Sequence, residues 1–538
     1  MWAGLALLWS CSPETPREPG VVVVVQEQQP AWVRNFNPLN PTGGARWPTR
    51  SGIYEPMAIY NSATGKWVSW LASSFEYADD VTVRAQLRQD VKWSDGTPFT
   101  AADVAFTFEL VLRRAELDLG GMGRFVEGVE ALGTHEVVVH LDHPYSPGLA
   151  DIMHQPIVPA HVWKDIDDPL KFANEDPVGT GPFTEVRVFR PQLFELGRNP
   201  HYWQDVAIEA MRFPAVGSND QVTLSLLEGE VDWAGAFVPA IDRIYADRDP
   251  EHNRYWFPLV GEMIFLYANT TRPPFDDVRV RKAISSAIDR SLVVKIAMYD
   301  YTQPANAVGM SDVYSDWIDL QVAGDSDWIT FDTARAAALL DEAGLKMGPN
   351  GLRQTPDGEP LQIELSAITG WSDWVRASQV IARNLGEVGL DVRMRSYDFG
   401  AWFDALGRGD FQLTLGWSAS GPTPFPLYQG LMSQRAVRPM GEPATSNWHR
   451  YGSAEMEALL VQFEATTDRT TQGLLASEMQ RLFVAEAPAI PLFPSPSWGE
   501  FRTEFIEGFP SAADPYARLS PNHFPDPLLV MTRLRPAQ

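Results

Sequence analysis

An α/β chain built as two or three large domains is predicted by three observations. Its 538 residues exceed what one ordinary core organises, strand-like and helix-like segments alternate along it, and a single cysteine leaves stability to hydrophobic burial. At 45% hydrophobic and 21% charged residues, the composition is that of a folded protein. The net charge of −26 opposes association with nucleic acid and with anionic membrane surfaces. Beyond the first residues, no apolar run is long enough to span a bilayer.

The elements follow in order. Val21 to Val25 is a β-branched run suited to a strand covered on both faces. Val81, Val83, Ala85 and Leu87 alternate with polar residues, the period of a half-buried strand. Ser94-Asp95-Gly96 supplies turn chemistry, and Thr100 with Asp103 three residues on predicts a capped helix with Val104, Phe108 and Val111 on one face. Val137 to Leu141 is strand-like, so Gly52 to Asn174 reads as a smaller inserted domain. Gly179-Thr180-Gly181-Pro182 marks its boundary, because two glycines permit a close turn and the proline sets its exit. Further on, Ile208 to Phe213 reads as a strand and Asp220 to Glu228 as a helix. Asp276 or Asp277 begins another helix, with Val280, Ile284 and Ile288 on one stripe. A helix between Trp374 and Gly389 precedes the alternation of Leu390, Val392 and Met394. The prolines within Glu486 to Leu492 argue for an edge strand or a crossing segment.

Several segments carry a resemblance. LASSFEYADDVTVRAQLRQDVKWSDGTPFTAADVAFTF (Leu71 to Phe108), VGTGPF (Val178 to Phe183), Asn269 followed by PPFDDVRVRKAISSAIDR (Pro273 to Arg290), and FDTARAAALLDEAG (Phe331 to Gly344) resemble the family 5 solute-binding proteins of ABC importers. That family captures peptides, nickel complexes or oligosaccharides. The resemblance runs from about Trp32 to Pro496 and implies a periplasmic-binding-protein-like bilobal α/β fold of type II, cluster C, with an extra inserted domain. It implies a discontinuous domain I at 21–50, 180–268 and 490–538, an inserted domain II at 51–179 and a ligand-binding domain III at 269–489. Residues 1–20 are expected to be a signal or lipoprotein segment and tether. The apolar run Met1 to Ser10 ends just before Cys11, and a Pro/Ser/Glu-rich stretch follows, so the arrangement resembles a lipoprotein signal with Cys11 as the lipidation site. An ordinary cleaved export segment is the alternative.

Nineteen tryptophans suggest either an aromatic core or broad recognition surfaces. A flat indole covers the C–H face of a sugar ring, while nearby polar side chains replace the waters on its hydroxyls. The candidate ligand contacts are Arg34, Asn35, Asn37 and Trp47 near the inserted domain, Asn269 at the entry to the third domain, and Trp402, Trp417 and Ser420 on the far lobe. Asn35 and Asn37 also fit a turn that bonds to its own backbone, and any one tryptophan fits a core equally well. GWSASGPTP (Gly416 to Pro424) resembles a family segment where peptide binders commonly place an aspartate against the peptide ammonium; the matching position is Ser420, which favours an uncharged ligand. Trp32 to Asn61 is similar to the oligosaccharide-associated branch. Together these imply a cello-, xylo- or manno-oligosaccharide or a related β-linked sugar, with an oligopeptide or dipeptide as the alternative. The implied mechanism is reversible capture by a monomer that closes its lobes on the ligand and delivers it to ABC permease subunits, with no cofactor.

Catalysis is not expected. The nine histidines form no HExxH or other compact metal set, and Gly121-Met122-Gly123 lacks the rest of a phosphate-binding motif. A glycosidase would need two carboxyl groups roughly 5 to 9 Å apart across the scissile bond, and Asp79 with Asp80, or Asp276 with Asp277, read instead as loop and cap residues. A sugar-binding adhesion module is the other non-enzymatic reading.

Overall fold

The computed structural model describes residues 18–41, 48–49, 52–324 and 326–538. Three sheets organise them. The first has seven strands in the order Asn253–Tyr255, Glu500–Arg502, Trp233–Ala234, Val21–Val25, Ala210–Pro214, Leu193–Arg198 and Phe183–Arg190. Val21–Val25 runs parallel to both its neighbours and is buried at every position but Val23. An unbroken valine run suits such a central strand, because neither face meets water.

The second sheet is antiparallel, in the order Ala72–Asp79, Thr82–Leu87, Glu136–Leu141 and Val126–Leu132. Val83, Ala85 and Leu87 are buried and Arg84 and Gln86 exposed, as the alternation requires. The helix Ala101–Arg113 packs on this sheet with Val104, Phe108 and Val111 buried, and the Thr100 amide donates to Asp103 Oδ2 at 2.9 Å at its start. The inserted domain enters and leaves through one narrow crossing. A Cβ on Gly179 would lie 2.0 Å from the Ile53 carbonyl oxygen, and one on Gly181 would lie 1.8 Å from that of Gly52. The two backbones can pass this closely only with glycine at both positions.

The third sheet runs Asp391–Tyr397, Gln362–Ile368, Leu413–Trp417, Leu259–Ala268 and Ile490–Pro496. Its last two strands correct the expected domain borders. Leu259–Ala268 and Ile490–Pro496, assigned above to domain I, pair with each other and, through Leu259–Ala268, with Leu413–Trp417. The chain therefore crosses between the first and third domains near residues 258 and 497. Burial on both faces gives a strand no pattern that names its sheet, so only long-range pairing decides this border. The proline-rich strand does occupy a sheet edge, where missing amide donors cost nothing. Apolar residues from all three sheets join in one continuous core cluster.

Candidate functional site

A cavity of about 1060 Å³ lies where the three domains meet. The inserted domain contributes Tyr60 and Trp67 from the hairpin Ala58–Asn61 and Lys66–Ser69, Tyr145, and Asp151 and His154 from the helix Gly148–His154. The third domain contributes Leu259, Val260, Tyr314, Trp317 and the loop Ala419 to Thr423 that leaves the strand Leu413–Trp417. The irregular carboxyl-terminal segment of the first domain contributes Arg518, Asn522, His523 and Asp526.

These walls are tied to each other. Ser62 Oγ donates to Asp526 Oδ2 at 2.6 Å, and Asn61 Nδ2 to the Tyr516 carbonyl at 2.6 Å, joining the inserted domain to the first. The Ser146 amide donates to the Glu464 carbonyl at 2.7 Å, and Gln429 Nε2 lies 3.4 Å from Tyr145 Oη, joining it to the third. At the far side of the interface, Asn219 Nδ2 donates to Asp373 Oδ1 at 3.1 Å. The lobes are thus in contact around the cavity. Tyr314 holds the loop: its hydroxyl donates to the Gly421 carbonyl at 2.9 Å and accepts from the Gly421 amide at 3.0 Å.

Acidic and basic groups surround this space. Arg518, 5% exposed, has its Nε 3.6 Å from Asp526 Oδ2, and burial raises the Asp526 carboxyl against the opposing pull of that guanidinium. His523 Nε2 lies 3.6 Å from Glu262 Oε2. Burial pushes Glu262 up, but His523, Arg518 and Ser495 together outweigh it and hold the carboxyl below its usual range. Asp151 is pushed up to about 7 by burial, with Arg124 lowering it and Asp118 adding to the rise. Burial takes His154 down to about 4; its Nε2 accepts from the Tyr60 amide at 2.9 Å, and its ring tilts against Trp67 at 5.4 Å.

A cavity walled by separate domains of one chain, with a polar and aromatic lining, is a place to enclose a solute. The sequence matches the family described as bacterial extracellular solute-binding proteins, family 5 middle, over residues 66–437. The chain belongs to that family. Curated relatives of this family 5 protein include the nickel-binding periplasmic protein of Escherichia coli K12, 27% identical over 385 residues, spanning 68% of this chain and 70% of that protein. Di/tripeptide-binding protein 2 of Pseudomonas aeruginosa is 25% identical over 528 residues, spanning 91% and 92%. Among solved structures, a periplasmic oligopeptide-binding protein of Thermotoga maritima with bound mannohexaose superposes with a TM-score of 0.88 at 23% identity, covering 97% of this chain and 99% of that one. A periplasmic binding protein of Helicobacter pylori in complex with the peptide STSA gives 0.80 at 19% identity, covering 97% and 98%. The bilobal α/β periplasmic-binding-protein-like fold follows from these superpositions. Both superposed structures are described as binding proteins, and among the described residues no cluster of three or more His, Cys, Asp or Glu is arranged to hold a metal. Among the described residues no helix is long and apolar enough to cross a membrane.

The residues singled out from sequence are placed as follows. Ser420 is exposed and lines the cavity. Arg34 lies outside the lining and pairs with Asp176 at 3.0 Å. Asn35 Oδ1 accepts from the Asn37 amide at 2.9 Å, and buried Asn37 accepts from the Leu39 amide at 2.9 Å and donates to the carbonyls of Pro169 and Phe172 at 2.8 and 2.9 Å, so Asn35 serves its own turn and Asn37 ties that turn to a distant segment. Asn269, also buried, donates to the Gly409 carbonyl at 2.6 Å and accepts from the Thr271 hydroxyl at 2.7 Å. Trp402 is 1% exposed and donates to Thr414 Oγ1 at 2.8 Å. Trp417 stacks on Phe403 at 6.1 Å, beside Trp402 and Trp374, so its ring packs in the third domain and not in the cavity. Trp47 and Cys11 lie outside the described residues.

No sequence pattern announces the charged lining. Asp151, His154, Arg518, His523 and Asp526 sit in segments with no motif, and the last three come from an irregular stretch that reads as a tail. Tyr60 belongs to the IYN segment and Ser420 to GWSASGPTP, so the two segments were the available signal even though the residue choices within them mostly differ.

Proposed function

We propose that this family 5 protein is the solute-capturing component of an ABC importer, acting on the outer side of the bacterial cytoplasmic membrane, and that its solute is a short peptide. The observation that carries this reading is the presence of carboxylates and guanidinium groups together in the lining of one cavity: Asp151 and Asp526 with Arg124 and Arg518. A peptide presents an ammonium and a carboxylate and can repay the desolvation of both signs, which a neutral ligand does only through hydrogen bonds. The volume of about 1060 Å³ is at the upper end of the range for small-molecule pockets, roughly 300 to 1,000 Å³, and suits several linked residues. Uncharged Ser420 argues against a peptide only if the ammonium must be met from the third domain; Asp151 and Asp526 offer carboxylates from the other two walls.

A β-linked oligosaccharide, of the cello-, xylo- or manno- type, is the second reading. It is supported by the rings of Tyr60, Trp67, Tyr145 and Trp317 in the same lining and by the hydroxyl at Ser420. In either case a monomer captures the solute, closure brings the three walls together, and docking on the permease subunits leads to reopening. Contacts made only in the closed state shift the open/closed equilibrium by their own free energy. Titration calorimetry with tri- to pentapeptides and with β-linked oligosaccharides decides between the two. Peptide binding at one site per chain, with compaction in solution scattering, is expected; heat from a sugar and none from any peptide would reverse the assignment.

A further inference from the structure

We propose that Asp151 is the residue that selects for a positively charged end on the ligand, so that the inserted domain and not the third domain reads the ammonium. This rests on the peptide reading above.

Among the described residues two acids line the cavity, and of these Asp151 alone has no hydrogen-bond or ion-pair partner. Asp526 already accepts from Ser62 Oγ at 2.6 Å and faces Arg518 at 3.6 Å. Asp151 has no hydrogen bond or ion pair among the described residues, although it lines the cavity. Of the charged and titratable groups around it, Arg124 acts on it through its charge alone, without a direct bond, and the others are engaged with other partners. Arg124 is exposed and its Nε donates to the Gly121 carbonyl at 2.9 Å, which ties it to its own turn. Asp118 accepts from the amides of Met122 and Gly123, each at 2.8 Å. The Tyr77 hydroxyl donates to the Tyr145 carbonyl at 3.0 Å, and Tyr145 Oη faces Gln429. His154, one turn further along the same helix, accepts through Nε2 from the Tyr60 amide and is held neutral by burial.

A carboxylate in this position is costly to ionise alone, and burial raises it to about 7. An arriving ammonium supplies the missing partner. The carboxyl proton then leaves, so binding near neutral pH releases protons and weakens as pH falls below that range. A ligand with a blocked amine cannot form the pair and leaves the acid protonated.

The test uses an equimolar library of random tripeptides, either free or N-acetylated, retained by the full chain and read by mass spectrometry and calorimetry. Wild type is expected to prefer free over acetylated peptides by roughly tenfold or more, the scale of a hydrogen bond to a charged group. In Asp151→Asn the free-to-acetylated ratio should fall to near one, and proton release, measured in buffers of different ionisation heat, should disappear. Equal retention of free and acetylated peptides by wild type overturns the assignment, and needs no variant to fold. So does a folded Asp151→Asn protein that keeps the preference. Failure of wild type to retain any peptide, with an oligosaccharide bound instead, defeats the peptide reading itself and this inference with it.

Discussion

The aromatic rings around Trp402 and those around the cavity are alike in composition but differ in what surrounds them. In the third domain Trp371, Trp374, Phe399, Trp402, Phe403 and Trp417 contact each other at centroid distances of 5.0 to 6.5 Å, and Trp417 meets Trp448 at 5.7 Å. Their neighbours are other rings. Around the cavity, Tyr60, Trp67, Tyr145 and Trp317 stand among Asp151, His154, Arg518 and Asp526, with open space on one side. Tryptophan content therefore does not report recognition. What distinguishes the two regions is the presence of polar partners and of volume to fill.

Substitutions in each region should separate stability from binding. The largest effect is expected for Trp402→Ala, which removes a buried ring and leaves the Thr414 hydroxyl without its donor; a loss of roughly 3 to 5 kcal/mol in chemical denaturation is expected. A loss well under about 1 kcal/mol would mean that the cluster is loosely packed.

His154 should produce the next effect, and on the cavity side. Its folded pKa of about 4 lies below the ordinary value of 6.5, so between these the unfolded chain binds more protons and stability rises with pH. The contribution is present above about pH 6.5 and is lost progressively as pH falls to 4, by up to about 3 kcal/mol. Denaturation of wild type and His154→Gln across this window should show the extra acid loss in wild type alone.

Trp417→Ala sharpens the boundary between the two regions. Its ring is half-buried within the cluster, so a loss of about 2 kcal/mol in stability with ligand affinity retained is expected; reduced affinity at full stability would move Trp417 to the binding surface. Tyr314→Phe should have the smallest effect, about 1 to 2 kcal/mol, confined to the loop at Gly421 that it holds at both amide and carbonyl. Hydrogen exchange at the Gly421 amide should quicken while the rest of the third domain is unchanged.

How far the chain could be read follows from the range of each interaction. The close turn expected at Gly179 and Gly181 is instead a close approach to the Ile53 and Gly52 carbonyls, distant in sequence. The capping box at Thr100 and the strand Thr82–Leu87 were legible because each depends on residues close in sequence. The borders near 258 and 497 were not, since a strand buried on both faces looks the same in either sheet. The asparagines of NFNPLNP were ambiguous for a related reason: Asn35 serves its own turn, but Asn37 also bonds to a backbone more than 130 residues away, which no local pattern announces.

By itself the sequence determined the α/β class, several of the strands and helices and the family, because these rest on periodicity, turn chemistry and local stereochemical demands that a short window contains. Only the tertiary structure decided which indoles are core and which face open space, and which acids lack a partner. Those properties belong to the meeting of chain segments far apart in sequence, where Ser62, Asp151, Tyr314 and Asp526 come together around a cavity that none of them encloses alone.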